Sequence, residues 1–250
     1  MKKINLFIFI GLLLLALIVT TSVWSGRNTL SDISIHIDTE SPDVYAKLLL
    51  IDSQSKKTGY DPSIGSEVSQ IPQSQSFTEG IDDDMTGERG VEGYNVIVGD
   101  PLAGNYTLQV IGNMTSLYTL SIYTSDTSGK SQRINLKGIT TPNIISEFKI
   151  HYDPTPGAKP TVVRVATIQS TKQDVTLSYN VGWITNAGIV KSLLAKLDAA
   201  ESALNRGQKK TTANQLNAFI NEVKAQSTFH IKPECAEMLI EDAEYILKHL

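Results

Sequence analysis

An acidic segment in the first half of the chain carries the residues best suited to chemistry. Asp82, Asp84 and Thr86 place side-chain oxygens at alternate positions, and a glycine follows at position 87. Calcium-binding loops open in this way, because alternate oxygens surround the ion and the glycine permits the turn. The sequence therefore predicts a calcium site with these candidate ligands: Asp82, Asp84, Thr86 and Glu88.

The same segment departs from a calcium loop at its far end. The closing glutamate of such a loop should occupy the position of Gly93, whereas Glu92 comes one residue early. No helical pattern flanks the segment on either side. The alternative is therefore a solvated acidic loop that holds no ion, and calcium is the one cofactor under consideration.

No catalytic pattern stands out elsewhere in the sequence. None of the four histidines lies at metal-ligand spacing from another histidine or from the single cysteine: His36, His151, His230, His249 and Cys235. The sequence also lacks a nucleophile elbow and a zinc-binding helix. We therefore expect surface histidines, no catalytic residues and a protein that is not an enzyme.

Residues 1–25 have the three parts of a secretory signal. Two lysines come first, an apolar stretch from Ile4 to Val19 follows, and small residues precede a cleavage point after Ser25. The stretch approaches the length that crosses a bilayer as a helix, so an uncleaved anchor is the alternative. Either reading predicts a protein that is secreted or held at the cell surface.

Composition supports a globular exported protein that does not bind nucleic acid. The chain of 250 residues is 41% hydrophobic and 19% charged, and its net charge is -4. A negative net charge provides no basic field that would attract nucleic acid. The single cysteine, Cys235, excludes an internal disulfide, and its helical surroundings favour a buried apolar role.

The part before residue 153 has the alternation typical of β-strands. Ile33, Ile35 and Ile37 alternate with polar residues, which places three apolar side chains on one face of a strand. Similar short segments, separated by turn residues, predict an antiparallel β-sandwich over residues 30–152. The polar stretch from Ser53 to Gly93 is expected to be a long, loosely structured excursion.

A proline-rich connector is predicted to follow the sandwich. Residues 153–160 contain three prolines and a glycine, which favours a stiff, extended segment. The runs Val162–Ile168 and Val175–Tyr179 have the pattern of two short strands. Residues 153–183 are therefore predicted to be a linker with two strands.

After the linker, the spacing of apolar residues changes from the period of two that is typical of strands to the period of about 3.6 that is typical of helices. Asn186 can cap the first helix and Gly207 can end it. Thr212 and Gln215 have the spacing of a capping box for the second helix, and Pro233 fits the first turn of the third. A small three-helix bundle is the expected result.

The helical segment resembles a known family. The runs Ser192–Ala200, Leu216–Val223 and Ala225–Gln226 are similar to the FIMAH module, with a departure in the turn at Ser227–His230. The resemblance implies a compact, non-catalytic helical unit at the C-terminal end of exported bacterial proteins, including hydrolases. It places a three-helix FIMAH-like module over residues 184–250.

The sandwich has a resemblance of its own. The segments Gly59–Pro62, Ile71–Pro72 and Asp100–Leu108 are similar to the accessory sandwich that follows von Willebrand type A or peptidase domains in secreted bacterial proteins. No such partner domain is recognisable in this sequence. The resemblance therefore implies an accessory part without the domain that usually carries activity.

These observations predict a mainly β protein with a separate α part, in which an antiparallel sandwich precedes a small three-helix bundle. The expected function is a non-catalytic exported accessory protein, with the sandwich as ligand surface and the bundle as docking module. The alternatives are an accessory part of a secreted hydrolase system acting with a partner chain, and a structural cell-surface protein. The expected partner is an extracellular protein or glycan, and a membrane only through an uncleaved N-terminal segment.

Overall fold

The protein is described by a computed structural model over residues 31–39, 46–80 and 92–250. The predicted signal or anchor segment, residues 1–25, lies outside this part of the chain. The predicted calcium ligands, which belong to the segment 82–88, lie outside it as well. Within the described part, no helix is long and apolar enough to span a membrane.

Two antiparallel sheets form the sandwich. Their strands are β1 (Asp32–Thr39), β2 (Ala46–Ile51), β3 (Lys57–Asp61), β4 (Ser66–Ser69), β5 (Ser74–Gly80), β6 (Glu92–Gly99), β7 (Gly104–Gly112), β8 (Ser116–Ser125), β9 (Ser131–Thr140), β10 (Ile145–Tyr152) and β11 (Thr161–Val165). The first sheet has the order β5-β6-β1-β8-β9, and the second has the order β11-β10-β7-β2-β3-β4. The predicted fold class, a mainly β protein with a sandwich and a following helical part, is confirmed.

Alternation of apolar residues explains how the sheets pack. In β1, the side chains of Ile33, Ile35 and Ile37 are buried and their polar neighbours face outward. Leu108 of β7 and Phe148 of β10 fill the same core from the second sheet. Burial of this shared apolar surface is what holds the two sheets together.

The predicted loose excursion between Ser53 and Gly93 is wrong for the residues that the structure describes there. This stretch forms β3, β4 and β5, and it leads into β6. Its strands were missed because most side chains of β4 and β5 are exposed, so they leave no alternation of apolar and polar residues. Backbone pairing with β3 and β6 holds these strands in place.

The helical part has four helices rather than three. They are α1 (Ile168–Asn180), α2 (Ala187–Asn205), α3 (Lys209–Gln226) and α4 (Pro233–Lys248). The predicted strand Val175–Tyr179 is wrong, because these residues form the second half of α1. Thr167 caps this helix in a capping box with Ser170. The sequence analysis missed this signal because the apolar run Val175–Tyr179 favoured a strand.

The helix ends follow local sequence signals at most positions. The Asn186 side chain accepts hydrogen bonds at the start of α2, Gly207 follows its end with a positive φ of 69°, and Pro233 begins α4. The predicted capping box of Thr212 and Gln215 is wrong. Helix α3 begins earlier, at Lys209, and Thr212 is a fully buried residue inside it.

The core of the helical part extends into the sandwich. Ile139 of β9 and Ala166, just after β11, belong to the same buried cluster as Phe219 and Leu239. Helix α4 packs against β9 and β11, which are the edge strands of the two sheets. The helices thereby cover one open side of the sandwich.

The proline-rich segment is bonded to the sandwich. Asp126, in the turn after β8, accepts hydrogen bonds from the backbone N–H of Ser128 and Lys130 and from that of Gly157 in the segment. The hydrogen bond from the Ser128 hydroxyl, together with these backbone bonds, lowers the pKa of the Asp126 carboxyl to about 2. The segment therefore runs along the turn between β8 and β9 before β11 begins.

Candidate functional site

A buried charge cluster joins the sandwich to the helices. Arg164 of β11 points inward, and its Nη1 lies 2.6 Å from Oδ1 and 2.7 Å from Oδ2 of Asp242 in α4. Its Nη2 lies 2.9 Å from Oδ2 of Asp174 in α1. All three side chains are at least nine-tenths buried. One strand of the sandwich is thus held by two different helices.

The cluster contains two carboxyl groups and one guanidinium. If both carboxylates were ionised, the cluster would keep one negative charge that nothing in it balances. Burial raises the pKa of Asp242 to about 7, and Arg164 opposes this shift while Asp174 adds to it. The neighbouring Tyr118 is also buried, which raises the pKa of its hydroxyl to about 12. The cluster can therefore hold a proton at neutral pH.

A cleft of about 240 Å³ opens beside this cluster, between β9 and α4. One wall is polar and comes from outward residues of β9, and the other comes from glutamates of α4. Leu136, Phe148 and Met238 close the bottom with apolar atoms. The polar residues that line the cleft include Arg133, Asn135, Lys137, Glu234, Glu237 and Glu241.

The two walls of the cleft differ in charge. Lys137 Nζ lies 3.1 Å from Glu234 Oε1, so these two residues neutralise each other. Burial raises the pKa of Glu241, and the nearby Glu237 adds to this effect. Within the described residues, Glu237 and Glu241 form no ion pair, whereas Arg133 faces them from β9. The cleft therefore has hydrogen-bond acceptors on one wall and donors on the other.

A row of polar side chains crosses the outer face of the first sheet toward this cleft. Strand pairing sets Asn95 of β6 opposite His36 of β1, His36 opposite Ser121 of β8, and Ser121 opposite Asn135 of β9. Asn95 and Ser121 are buried although they face away from the core. The row ends at Asn135, which also lines the cleft.

Both ring nitrogens of His36 are engaged. Its Nε2 lies 2.7 Å from Asp38 Oδ1, and its Nδ1 lies 2.8 Å from Asn95 Oδ1. The buried Nδ2 of Asn95 has no hydrogen-bond partner among the described residues. Turning this amide over lets Nδ2 donate to Nδ1 of His36 in the tautomer whose Nε2–H donates to Asp38. In that arrangement the ring has no free nitrogen.

The hydroxyl of Ser121 is engaged in a second set of contacts. It donates to Asn135 Oδ1 at 3.1 Å and accepts from Arg133 Nη2 at 3.1 Å. The Arg133 guanidinium also lies over the ring of Tyr123, at 5.1 Å from its centroid. Asp38, His36 and Ser121 are therefore neighbours on the sheet, but they do not form the relay of a nucleophile and its base.

A second depression lies on the outer face of the other sheet. It has a volume of about 340 Å³, and Lys47, Ile111 and Ile145 stand side by side along it on β2, β7 and β10. Lys47 Nζ lies 4.3 Å above the ring of Tyr60 and 3.3 Å from Glu67. The charge of Lys47 is thus already neutralised within the protein.

The structure tests some of the site residues singled out in the sequence and leaves others untested. The calcium prediction for Asp82, Asp84, Thr86 and Glu88 lies outside the described residues and stays a prediction. Within the described part, no three acidic, histidine or cysteine side chains are close enough to bind a metal together. Cys235 is fully buried, and burial raises the pKa of its thiol to about 12, which makes it unreactive.

Sequence reasoning missed the charge cluster and the cleft. Arg164 and Asp242 are far apart in the chain, and nothing in the sequence pairs them. An available signal was the arginine within the predicted strand Val162–Ile168, at a position that faces the core. Such a residue requires a buried counter-charge, and Asp242 in the third predicted helix was one candidate.

Comparison with protein families identifies the helical part. Residues 168–248 match the FIMAH domain. The FIMAH region therefore includes α1, which the sequence analysis had assigned to the linker. A comparison with curated proteins gives no match. The resemblance of the sandwich to accessory domains of von Willebrand type A or peptidase proteins is not confirmed.

Proposed function

We propose that this chain is a non-catalytic accessory protein that acts outside the cytoplasm. In this proposal the sandwich presents a ligand-binding surface and the FIMAH region serves as a docking module. The observation that carries the proposal is the attachment of α1 and α4 to Arg164, which joins the two parts through a buried cluster. A rigid pair of surfaces suits a protein that brings two partners together.

The side chains that most resemble a catalytic set support binding rather than turnover. The ring nitrogens of His36 contact Asp38 and Asn95, and the Ser121 hydroxyl donates to Asn135. A general base must contact the proton that it removes, and His36 does not contact Ser121 in this way. The exposed side chains of Arg133 and Asn135 beside them are held by a hydrogen bond to each other and can form hydrogen bonds with a ligand.

A turnover screen tests the non-catalytic part of the proposal. The full chain is incubated with peptide, ester and glycan substrates, and products are followed by mass spectrometry. We expect no product above the level without protein. Turnover that is abolished by His36→Ala or Ser121→Ala, and retained in the control His151→Ala, would overturn the proposal. His151 is an exposed histidine on the other sheet, where it bonds Asn105.

Export is tested by the mass of the N-terminus. The protein is isolated from the culture medium and from membranes of its source, and the N-terminal peptide is sequenced by mass spectrometry. A species that starts at Gly26 supports a released protein. A species that retains Met1 and fractionates with membranes supports an anchored one. Recovery from the cytoplasm alone would contradict a location outside it.

A second candidate function is an accessory part of a secreted hydrolase system that acts with a partner chain. It is favoured by Phe229, whose side chain is 80% exposed in the turn between α3 and α4. Thr228 before it has a positive φ of 72°. Exposed aromatic residues commonly anchor protein interfaces.

This candidate has its own test. Hydrolases secreted by the same source are assayed with and without the full chain. If one of them gains activity, Phe229→Ala should reduce the gain, whereas Leu102→Ala should not. Leu102 is an exposed apolar residue of the sandwich, which makes it a matched control. An unchanged hydrolase activity would remove this candidate.

A further inference from the structure

The cleft between β9 and α4 and the polar row on the adjoining sheet face form one continuous surface. Asn135 belongs to both, since it lines the cleft and also accepts hydrogen bonds from Ser121 and Arg133. From Asn135 the row continues through Ser121 to His36, along neighbouring strands. This surface, from the cleft to Asn95, is called the groove below.

The polar side chains of the groove are held in position before any ligand arrives. Arg133 Nε donates to Asn135 Oδ1 at 2.7 Å, and its guanidinium is also held against the ring of Tyr123. Gly93 lies beside His36, where a Cβ would come within 2.2 Å of the ring, so the histidine lies flat against the sheet. Fixed side chains lose little entropy on binding a ligand.

Asn95 lies at the end of the groove that is farthest from the cleft. Its side chain is more than nine-tenths buried, and its Nδ2 lacks a partner in the residues that the structure describes. Turning the amide over would leave Oδ1 in the unpartnered position instead. In either orientation, one polar atom of this buried amide has no hydrogen-bond partner among the described residues.

The hydrogen-bond donors and acceptors on the two walls of the cleft determine which kind of ligand fits it. Arg133 and Lys137 donate hydrogen bonds from β9, whereas Glu237 and Glu241 accept them from α4. A hydroxyl group donates and accepts at once, so neighbouring hydroxyls can bridge the two walls. The apolar atoms of Leu136 and Met238 at the bottom suit the C–H face of a sugar ring.

Charge and size disfavour other ligands. Glu237 and Glu241 of α4, which form no ion pair among the described residues, repel a polyanion. The cleft volume of about 240 Å³ is below the range typical of drug-sized ligands and far too small for a helix. It is on the scale of a single sugar ring.

We propose that the groove binds a neutral glycan chain, with one sugar ring between β9 and α4 and the following rings over the row from Asn135 to Asn95. This inference rests on the proposed binding function and names the ligand class for the sandwich surface. The FIMAH region supplies one wall of the site through Glu237 and Glu241. Ligand binding therefore requires both parts of the protein.

The test uses the full chain on an array of neutral hexose and N-acetylhexosamine oligosaccharides, with acidic oligosaccharides included. Calorimetry with the strongest neutral oligosaccharide then compares Asn135→Ala and Glu237→Ala with Lys149→Ala, an exposed residue on the other sheet. We expect about tenfold weaker binding for the first two, since each loses a hydrogen bond to the ligand, and unchanged binding for the control. Melting curves check that each variant is folded.

Three outcomes would overturn the inference. These are no binding of neutral oligosaccharides at millimolar concentration, a preference for acidic ones, or equal affinities of Asn135→Ala, Glu237→Ala and Lys149→Ala. None of these outcomes bears on turnover or on export. The broader proposal of a non-catalytic accessory protein would then still be decided by the turnover and export tests.

Discussion

Nη1 of Arg164 contacts both carboxylate oxygens of Asp242, although the two residues are 78 positions apart in the chain. The contact joins the last strand of the sandwich to the last helix of the FIMAH region. Because both side chains are almost fully buried, their charges are compensated mainly by protein groups. The attachment of the helices to the sandwich therefore depends on a charge cluster as well as on apolar packing.

Replacing Arg164 with methionine should strongly destabilise the protein. Arg164→Met leaves Asp174 and Asp242 buried without their cation, and breaking a buried pair in this way costs about 3–5 kcal/mol. Chemical denaturation of the full chain measures the loss in free energy of unfolding. The control Lys149→Ala removes an exposed pair with Glu147 and should cost less than about 1 kcal/mol. Equal stability of Arg164→Met and the unmodified protein would show that the cluster does not hold the junction.

The contribution of Asp242 to the stability of the protein should fall as pH rises toward neutrality. The folded pKa of Asp242 is raised to about 7, above the value of about 3.9 in an unfolded chain, so the folded state retains the proton longer. This contribution is full below about pH 4 and is lost as pH rises through about 7. The pKa values of Tyr118 and Cys235 are both raised to about 12, so these neighbours stay neutral in this window.

The variant Asp242→Asn isolates this effect. It keeps the volume of the side chain but cannot ionise, so its stability should depend less on pH between about 5 and 8. Denaturation at a series of pH values, with both proteins in the same buffers, gives the difference between the two curves. Histidines contribute equally to both proteins and cancel. Parallel curves would mean that Asp242 keeps an ordinary carboxyl pKa.

Gly59 should tolerate no side chain. Its φ is 116°, and a Cβ would lie 2.1 Å from the backbone oxygen of Leu48 on β2. Gly59→Ala is expected to lower the free energy of unfolding by at least about 2 kcal/mol. Gly65 is the matched control, because its φ is 66° but none of the described atoms would touch its Cβ. Gly65→Ala should cost only about 1–2 kcal/mol, and equal losses would contradict the close approach of β2 and β3.

Calcium should stabilise the protein if the acidic segment binds it. Thermal unfolding with millimolar calcium should then show a higher midpoint than unfolding with a chelator, because the ion binds only the folded state. The double variant Asp82→Ala plus Asp84→Ala should lose this response. A midpoint that does not move, or that moves equally in the double variant, would leave a solvated acidic loop as the explanation.

Sequence patterns predicted those elements that bury one clear face. The alternation around Ile33 and the helical stripe that includes Leu193 and Leu197 identified β1 and α2 correctly. The exposed strand β5 was missed because backbone pairing with β6 holds it and its side chains carry little pattern. The prediction for Val175–Tyr179 was wrong for another reason, because a short apolar run does not distinguish a strand from a buried helix.

The groove was beyond prediction because its parts come together only through folding. Strand register brings Asn95, His36, Ser121 and Asn135 together from four strands, and packing of α4 adds Glu237. In the sequence, nothing distinguishes any of these residues from an ordinary polar surface residue. Only the pairing of strands reveals that they form one row.

The function that we propose depends on the sandwich and the FIMAH region moving as one body. Relaxation of backbone amides, measured by NMR on the full chain, tests this directly, because it gives the tumbling time of each part. We predict the same tumbling time for the strands between residues 92 and 165 and for the helices between 168 and 248. Distinct tumbling times for the two parts would contradict a fixed junction, and with it a binding groove built from both.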